Sequence, residues 1–157
     1  MNSKIKIYII LTLISVSCSQ SEPIIPDTNL LCVDLNVVDG KIYQNELLFN
    51  GSCITKYEGS IQRNEVRSYK NGIRDGVWAK FYFNSNLNFK GYAKNGQITG
   101  KYRSYFDNGT LQDSGVMKNG YKDGIWFKFD IYGKLRRKTQ FKDKQIINDK
   151  IFDEYVY

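Results

Sequence analysis

A period of 24 residues is the strongest constraint on what this chain can fold into. Asn71-Gly72, Asn95-Gly96 and Asn119-Gly120 stand 24 apart, as do Gly76, Gly100 and Gly124. Trp78, Tyr102 and Trp126 keep the same step, followed by Phe81, Tyr105 and Phe129 and by Leu87, Leu111 and Leu135. Lys70, Lys94, Lys118 and Lys142 extend it to a fourth copy. So many positions in register over three copies mark one supersecondary unit repeated and stacked on itself. A weaker copy begins near Phe49-Asn50-Gly51, and Ile146 to Tyr157 reads as a degenerate closing copy.

Each copy divides into two strands and two turns. Ile125 to Phe129 and Leu135 to Phe141 are aromatic and β-branched, the composition of strands. Between such pairs lies a tight turn, clearest as Asp107-Asn108-Gly109-Thr110, where Asn-Gly is expected to supply positive φ. The Asn-Gly-x-x-x-Gly phrase makes the second turn and leads into the next strand. The fold expected is all-β: an elongated, twisted, antiparallel meander of repeated hairpins, with clear repeats over about residues 71–142. Alternation predicts that Leu87, Gly91 and Ala93 share a face with Leu111, Gly115 and Met117, and with Leu135, Thr139 and Phe141. Asn88, Lys90, Gln112, Ser114, Arg136 and Lys138 then fall opposite. One hairpin alone is marginal in water, so stacking carries the stability.

The first residues point to export. Lys4 and Lys6 precede an apolar run, Ile7 to Val16, too short for the roughly 20 residues that span a bilayer but suited to a secretory leader. Ser15-Val16-Ser17-Cys18 then resembles the lipobox of bacterial lipoproteins, with Ser15 in place of the usual Leu. The resemblance implies cleavage before Cys18 and acylation of its thiol; ordinary cleavage would leave Cys18 an incidental thiol. The domain organisation expected is a leader at 1–17, a tether at 18–29 and a repeat domain at 30–157. The tether holds both prolines, Pro23 and Pro26, which cannot donate within a sheet. Cys32 and Cys53 remain as a candidate disulfide in a compartment that permits one, or as two separate thiols. Loss of the two leader lysines takes the formal charge of +7 to +5. That leaves attraction to anionic lipid, cell-wall polymer or an acidic protein, and export argues against nucleic acid as partner.

The repeat phrase resembles the variant MORN repeat, and more closely the YwqK-type antitoxin family built from it. It stands here as Tyr69-Lys-Asn-Gly-Ile-Arg-Asp-Gly-Val-Trp78 and Tyr105-Phe-Asp-Asn-Gly-Thr-Leu111. Leu31 to Leu35 and Val38 to Tyr43 resemble the family's opening segment, followed by Phe49-Asn-Gly51 in place of its usual Phe-Thr-Gly, so the resemblance covers roughly residues 31 to 145. It implies a hairpin array with a binding role; antitoxin members would neutralise a toxin by contact. An export signal departs from an antitoxin that guards a cytoplasmic target.

Residues for catalysis are sparse. The chain has no histidine, the usual general base and metal ligand. Neither Cys32 nor Cys53 has an imidazole to activate it, and no phosphate loop or dinucleotide fingerprint occurs. Asp75 and Asp123 sit singly in their turns, with Thr99 between, too few oxygens for a hard cation. The expectation is a non-enzymatic lipoprotein of the cell envelope, without metal or cofactor. It would be membrane-anchored through lipid and bind a protein partner, or else glycan or anionic lipid. The candidate surface comprises Trp78, Tyr102 and Trp126, as packing for neighbouring glycines or as stacking rings, together with Arg136 and Lys138 from the basic run Lys134, Arg136, Arg137 and Lys138.

Overall fold

The computed structural model describes residues 24–152; the leader and Cys18 lie outside them. Strands β1 (Asn36–Val38), β2 (Lys41–Gln44) and β3 (Leu47–Leu48) form a small three-stranded sheet. Nine more strands form the main sheet: β4 (Gly51–Lys56), β5 (Arg63–Lys70), β6 (Ile73–Phe81), β7 (Leu87–Lys94), β8 (Gln97–Tyr105), β9 (Leu111–Lys118), β10 (Tyr121–Phe129), β11 (Leu135–Lys142) and β12 (Gln145–Ile151). They lie side by side in chain order and every pair is antiparallel, so the main sheet is an unbroken meander. The one helical piece among the described residues is a 3-10 turn at Cys32–Asp34.

The period is visible in the backbone. Asn71 and Gly72 have φ of 50° and 72°, Asn95 and Gly96 49° and 80°, Asn119 and Gly120 50° and 82°. Both central residues are positive, as a two-residue type I′ hairpin requires. Asp143 and Lys144, at 50° and 67°, repeat the geometry without a glycine. The Asp107–Thr110 turn differs from expectation. Only Gly109 is positive there, at 88°, while the Asn108 side-chain oxygen accepts the Thr110 N–H at 3.0 Å. The Asn-Gly pairs of the other series are therefore the tight turns, and this one is a wider loop closed by an Asx bond.

Both rims of the sheet are stitched from copy to copy. The N–H of Gly96 donates to the Arg74 carbonyl and that of Gly120 to the Ile98 carbonyl, each at 2.8 Å. On the other rim, the Asn84 amide donates to the Asp107 carbonyl at 2.9 Å and the Asn108 amide to the Ile131 carbonyl at 3.2 Å. These bonds satisfy loop carbonyls and tie each repeat to the next.

Bulges also recur, and one series corrects the expected faces. Lys80 pairs with Phe89 but Phe81 pairs with Leu87, so Asn88 is an extra residue; the same step recurs at Tyr105↔Leu111 and Phe129↔Leu135. A bulge resets the alternation. Leu87 packs against Val66, Val77 and Ala79, whereas Gly91 pairs with Trp78 on the other side of the sheet. Leu87 and Gly91 therefore lie on opposite faces. Strict alternation fails there because it assumes an uninterrupted ladder.

The core lies at the N-terminal end. One cluster joins Ile54, Val66, Val77 and Ala79, covered by Ile25 and Leu31. A second, on the other face, joins Leu35, Phe49 and Cys53, with Leu30, Cys32, Ile42 and Tyr69 around it. Residues 28–31 run along the outer edge of β4: Leu31 bridges Ile54 in parallel and the Ile54 N–H donates to the Leu30 carbonyl at 2.8 Å. Alternate side chains of this leading segment thus reach both faces and close that edge. Among the described residues, the opposite edge, β12, pairs with β11 alone, and its residues are all exposed.

Candidate interaction surface

The three series aromatics share one face of the sheet and form part of a single spine. Trp78 meets Phe89 edge-on at 4.8 Å, Phe89 stacks on Tyr102 at 5.8 Å, Tyr102 lies 5.6 Å from Trp126, and Trp126 lies 6.5 Å from Phe141. Glycines make room for the rings. Trp78 pairs across from Gly91 and Tyr102 across from Gly115. A Cβ on Gly115 would come within 2.4 Å of the Trp126 ring.

The spine is a packing device along most of its length. Trp126 is only 4% exposed, its Nε1–H donates to the Val116 carbonyl at 3.0 Å, and the Lys122 ammonium lies 4.1 Å from its ring centre. Such a ring offers no open face for sugar stacking, which removes Trp126 from that reading. Trp78 and Tyr102 are half-buried. The Arg74 guanidinium covers Trp78 at 4.8 Å, and the Trp78 Nε1–H donates to Glu65. Burial, then the nearby Asp113 charge, raises the Tyr102 hydroxyl above its ordinary range.

Among the described residues, Glu65 is the most buried acid, at 8% exposed. Burial pushes its carboxyl up, but hydrogen bonds from Arg67 (2.5 Å) and Trp78, with the charges of Arg67 and Arg74, hold it below the usual carboxylate range. The Arg67 guanidinium is raised in turn, chiefly by its bond to Glu65. With both oxygens accepting, this carboxylate is a structural anion rather than a proton acceptor. Among the described residues, no three His, Cys, Asp or Glu side chains are grouped to hold a metal ion.

The basic run divides among three settings. Arg136 sits at a bulge and binds the half-buried Asp130 at 2.6 Å; burial pushes the Asp130 carboxyl up, but the Lys134 backbone N–H, then Arg136 and the Tyr132 backbone N–H, hold it below its ordinary range. Arg137 grips Asp149 with three hydrogen bonds of 2.5 to 3.1 Å, on the aromatic face. Lys138 points from the opposite face, its ammonium 5.9 Å from the Phe127 ring. Lys134 is also engaged. Trp78, Tyr102 and Trp126 therefore do not share a surface with Lys138, and Arg136 is already paired. Cys32 and Cys53 are joined as a disulfide with Cα atoms 5.0 Å apart, tying the leading segment to β4.

The more coherent feature is a row that crosses the whole sheet opposite the aromatic spine. Register links Ile54, Val66, Ala79, Lys90, Arg103, Ser114, Phe127, Lys138 and Lys150 in successive strands. Its first three members are the buried core; from β7 onward it turns basic. Like charges stand directly opposite one another at Lys90↔Arg103 and Lys138↔Lys150, an arrangement unfavourable in isolation. Alternation placed Lys90, Ser114 and Lys138 together in the sequence; the contribution of Arg103 and Lys150 needed the register. Charge follows the same gradient. Residues 97–152 carry twelve Lys and Arg against six Asp and Glu, whereas residues 24–96 carry nine against seven, so the basic surplus belongs to the C-terminal half.

Apolar side chains are exposed in that half as well. Val116, Ile125, Ile146, Ile147 and Ile151 are between 43% and 58% exposed. A shallow groove of about 180 Å³ on the aromatic face runs from Asp113 past Lys122 and Trp126 to Phe141 and Ile146. No protein-family model, curated protein or solved structure matches the chain.

Proposed function

We propose that this chain is a non-catalytic protein-interaction module of the bacterial cell envelope. Its membrane anchor is the lipidated Cys18, and its partner-binding part is the C-terminal half of the sheet. One observation carries the reading: from β8 to β12 a single sheet layer, basic in balance, has Trp126 and Thr139 as its only buried side chains. An array of this kind offers extended surface in place of an enclosed, dry cavity where a reaction could be run. The resemblance to the variant MORN repeat and the YwqK-type antitoxin family supports the same role, with neutralisation by contact as the antitoxin-like form of it.

Photo-crosslinking in intact cells tests the reading, with a photoreactive phenylalanine analogue placed in turn at Ile73 in the N-terminal half and at Ile125 and Ile147 in the C-terminal half. Adducts with one protein from Ile125 and Ile147 but not from Ile73 are expected. Protein adducts confined to Ile73, or none at any site, would overturn it. The basic row favours a second reading, contact with anionic lipid headgroups. Flotation with vesicles containing phosphatidylglycerol, using the chain with Cys18 unmodified, decides that: binding lost in Lys138→Glu/Lys150→Glu supports lipid contact, and equal binding to neutral vesicles discards it.

A further inference from the structure

Among the described residues the main sheet has one closed and one open edge, and the open one has a defined chemistry. At the closed edge, residues 28–31 of the chain's own leading segment lie along β4 and send alternate side chains to the two faces. At the other edge, Phe152 donates its N–H inward to the Arg136 carbonyl at 2.9 Å. Main-chain groups alternate in direction along an antiparallel strand, so the N–H and C=O of Asp149 and Ile151 face away from β11. Such outward groups are a template for another strand.

Of the devices that usually block an edge, β12 carries a bulge at Ile147 and a lysine at Lys150, while its Asn148–Ile151 stretch keeps regular register. β12 has no proline and runs seven residues. Its one acid, Asp149, is turned inward onto Arg137 and Thr139, at 2.5 and 2.8 Å. Exposed along the edge are Ile146 and Ile151 on the aromatic face, and Asn148 and Lys150 on the other, where Lys150 stands opposite Lys138. A second copy of this chain would bring another basic row beside the first. A partner strand carrying acids on that side would relieve the Lys138↔Lys150 pairing.

We propose that β12 is the docking edge for an extended segment of a partner protein in which acidic and apolar residues alternate. The segment hydrogen-bonds to the outward groups of Asp149 and Ile151. It sets acids beside Lys150 and Lys138, and apolar side chains beside Ile146 and Ile151. This is strand addition, with affinity from the main chain and selectivity from alternate side chains. It rests on the reading of the protein as an interaction module and specifies its site.

The test uses the full chain in detergent micelles and a fluorescein-labelled eight-residue peptide alternating valine and glutamate. The controls are a scrambled peptide of equal composition and one with lysine for glutamate. Binding by anisotropy is expected for the alternating peptide, at least tenfold weaker for both controls, with new hydrogen-exchange protection at the amides of Asp149 and Ile151. Ile151→Pro removes an outward donor and leaves the bonds to β11, so it should lower affinity at least tenfold with an unchanged circular dichroism spectrum. Lys150→Glu should invert the preference between the glutamate and lysine peptides. Equal binding of the scrambled peptide, or protection elsewhere, overturns the proposal. A peptide-free dimer abolished by Ile151→Pro would make a second copy the occupant, and a tenfold gain on truncation after Phe152 would make the chain's own tail the occupant; either result overturns it. If photo-crosslinks from Ile125 and Ile147 persist in Ile151→Pro, the interaction module stands and only the edge is wrong.

Discussion

Val77 and Ile125 hold the same position in repeats two periods apart, yet Val77 is 8% exposed and Ile125 43%. The difference comes from what lies over them. Val77 belongs to the cluster sealed by Ile25 and Leu31 of the leading segment, while Ile125 pairs with Gln140 on a stretch where, among the described residues, neither face has a second layer. A repeat unit thus determines strand, turn and bulge but not burial. Burial depends on a non-repeating segment that reaches only one end. The N-terminal half is a small core with an edge closed by its own chain; the C-terminal half is a surface held up by neighbour-to-neighbour bonds and the aromatic spine. In a quasi-one-dimensional array each strand senses only its neighbours, so the two halves should respond differently to the same kind of damage.

The largest effect is expected from removing the disulfide, a feature of one end. Cys32→Ser with Cys53→Ser opens a loop of 21 residues, a loss of about 3 kcal/mol by chain-entropy reasoning. Hydrogen exchange should show protection falling in β4 and β5 and holding in β10 to β12. Equal losses throughout would mean that the sheet is one cooperative unit and that the contrast between halves is only one of exposure.

The next prediction contrasts two glycines in equivalent positions. Gly115→Ala drives a methyl into the Trp126 ring, where the gap is 2.4 Å, and should cost about 2 kcal/mol through displacement of the spine. Gly91→Ala meets the edge of Tyr102 at 3.4 Å and Ile98 at 3.9 Å, both ordinary contacts, and should stay within about 0.5 kcal/mol of neutral. Near-UV circular dichroism with thermal melts measures both. Matching costs would remove the argument that Trp126 is locked by its glycine while Tyr102 is not.

Much of this was legible in the sequence, for physical reasons that differ by feature. The meander and its strands followed from the 24-residue period, because Asn-Gly pairs admit the positive φ of a tight hairpin and aromatics suit the pleat. The covering of Gly91 and Gly115 by rings is one of two readings of the aromatic series; the buried ring of Trp126 fits it, while Trp78 and Tyr102 are half-buried. The face of Leu87 was misread, since the bulge at Asn88 has no residue signature that separates it from a regular strand. The basic run Lys134 to Lys138 looked like one patch because neighbours in sequence were taken together; alternation and the acids Asp130 and Asp149 divide it. The row through Lys90, Arg103, Lys138 and Lys150 depends on register across five strand pairs, which a single sequence does not encode locally.

A smaller effect should come from placing a hydroxyl at the Val77 and Ile125 positions. Val77→Thr buries an unpaired oxygen in the sealed cluster, for about 1.5 kcal/mol. Ile125→Thr puts it on an exposed strand surface where threonine is well tolerated, for under about 0.5 kcal/mol. Denaturant melts of the two variants measure the difference. A cost at Ile125 as large as at Val77 would show that the C-terminal half is covered in solution by something that binds it, and would sharpen the case for an occupant.

The smallest effect expected is a shallow acid dependence that distinguishes the halves by salt. Glu65 is held below its ordinary value of 4.5 when folded, so its contribution is complete above about pH 4.5 and is lost as pH falls through the lowered folded value. Asp149, lowered by Arg137 and then Thr139, runs in the same direction but at an exposed site. Salt screens the exposed pair and leaves the buried Glu65–Arg67–Trp78 group largely unaffected. Glu65→Gln should therefore flatten the acid limb of stability at both low and high salt. Asp149→Asn should flatten it at low salt only. The melting temperature of each variant between pH 3 and 7, at two ionic strengths, reads this out. If Asp149→Asn proves the salt-insensitive one, the pair at the β11–β12 edge is shielded from solvent, and that edge is not the open one.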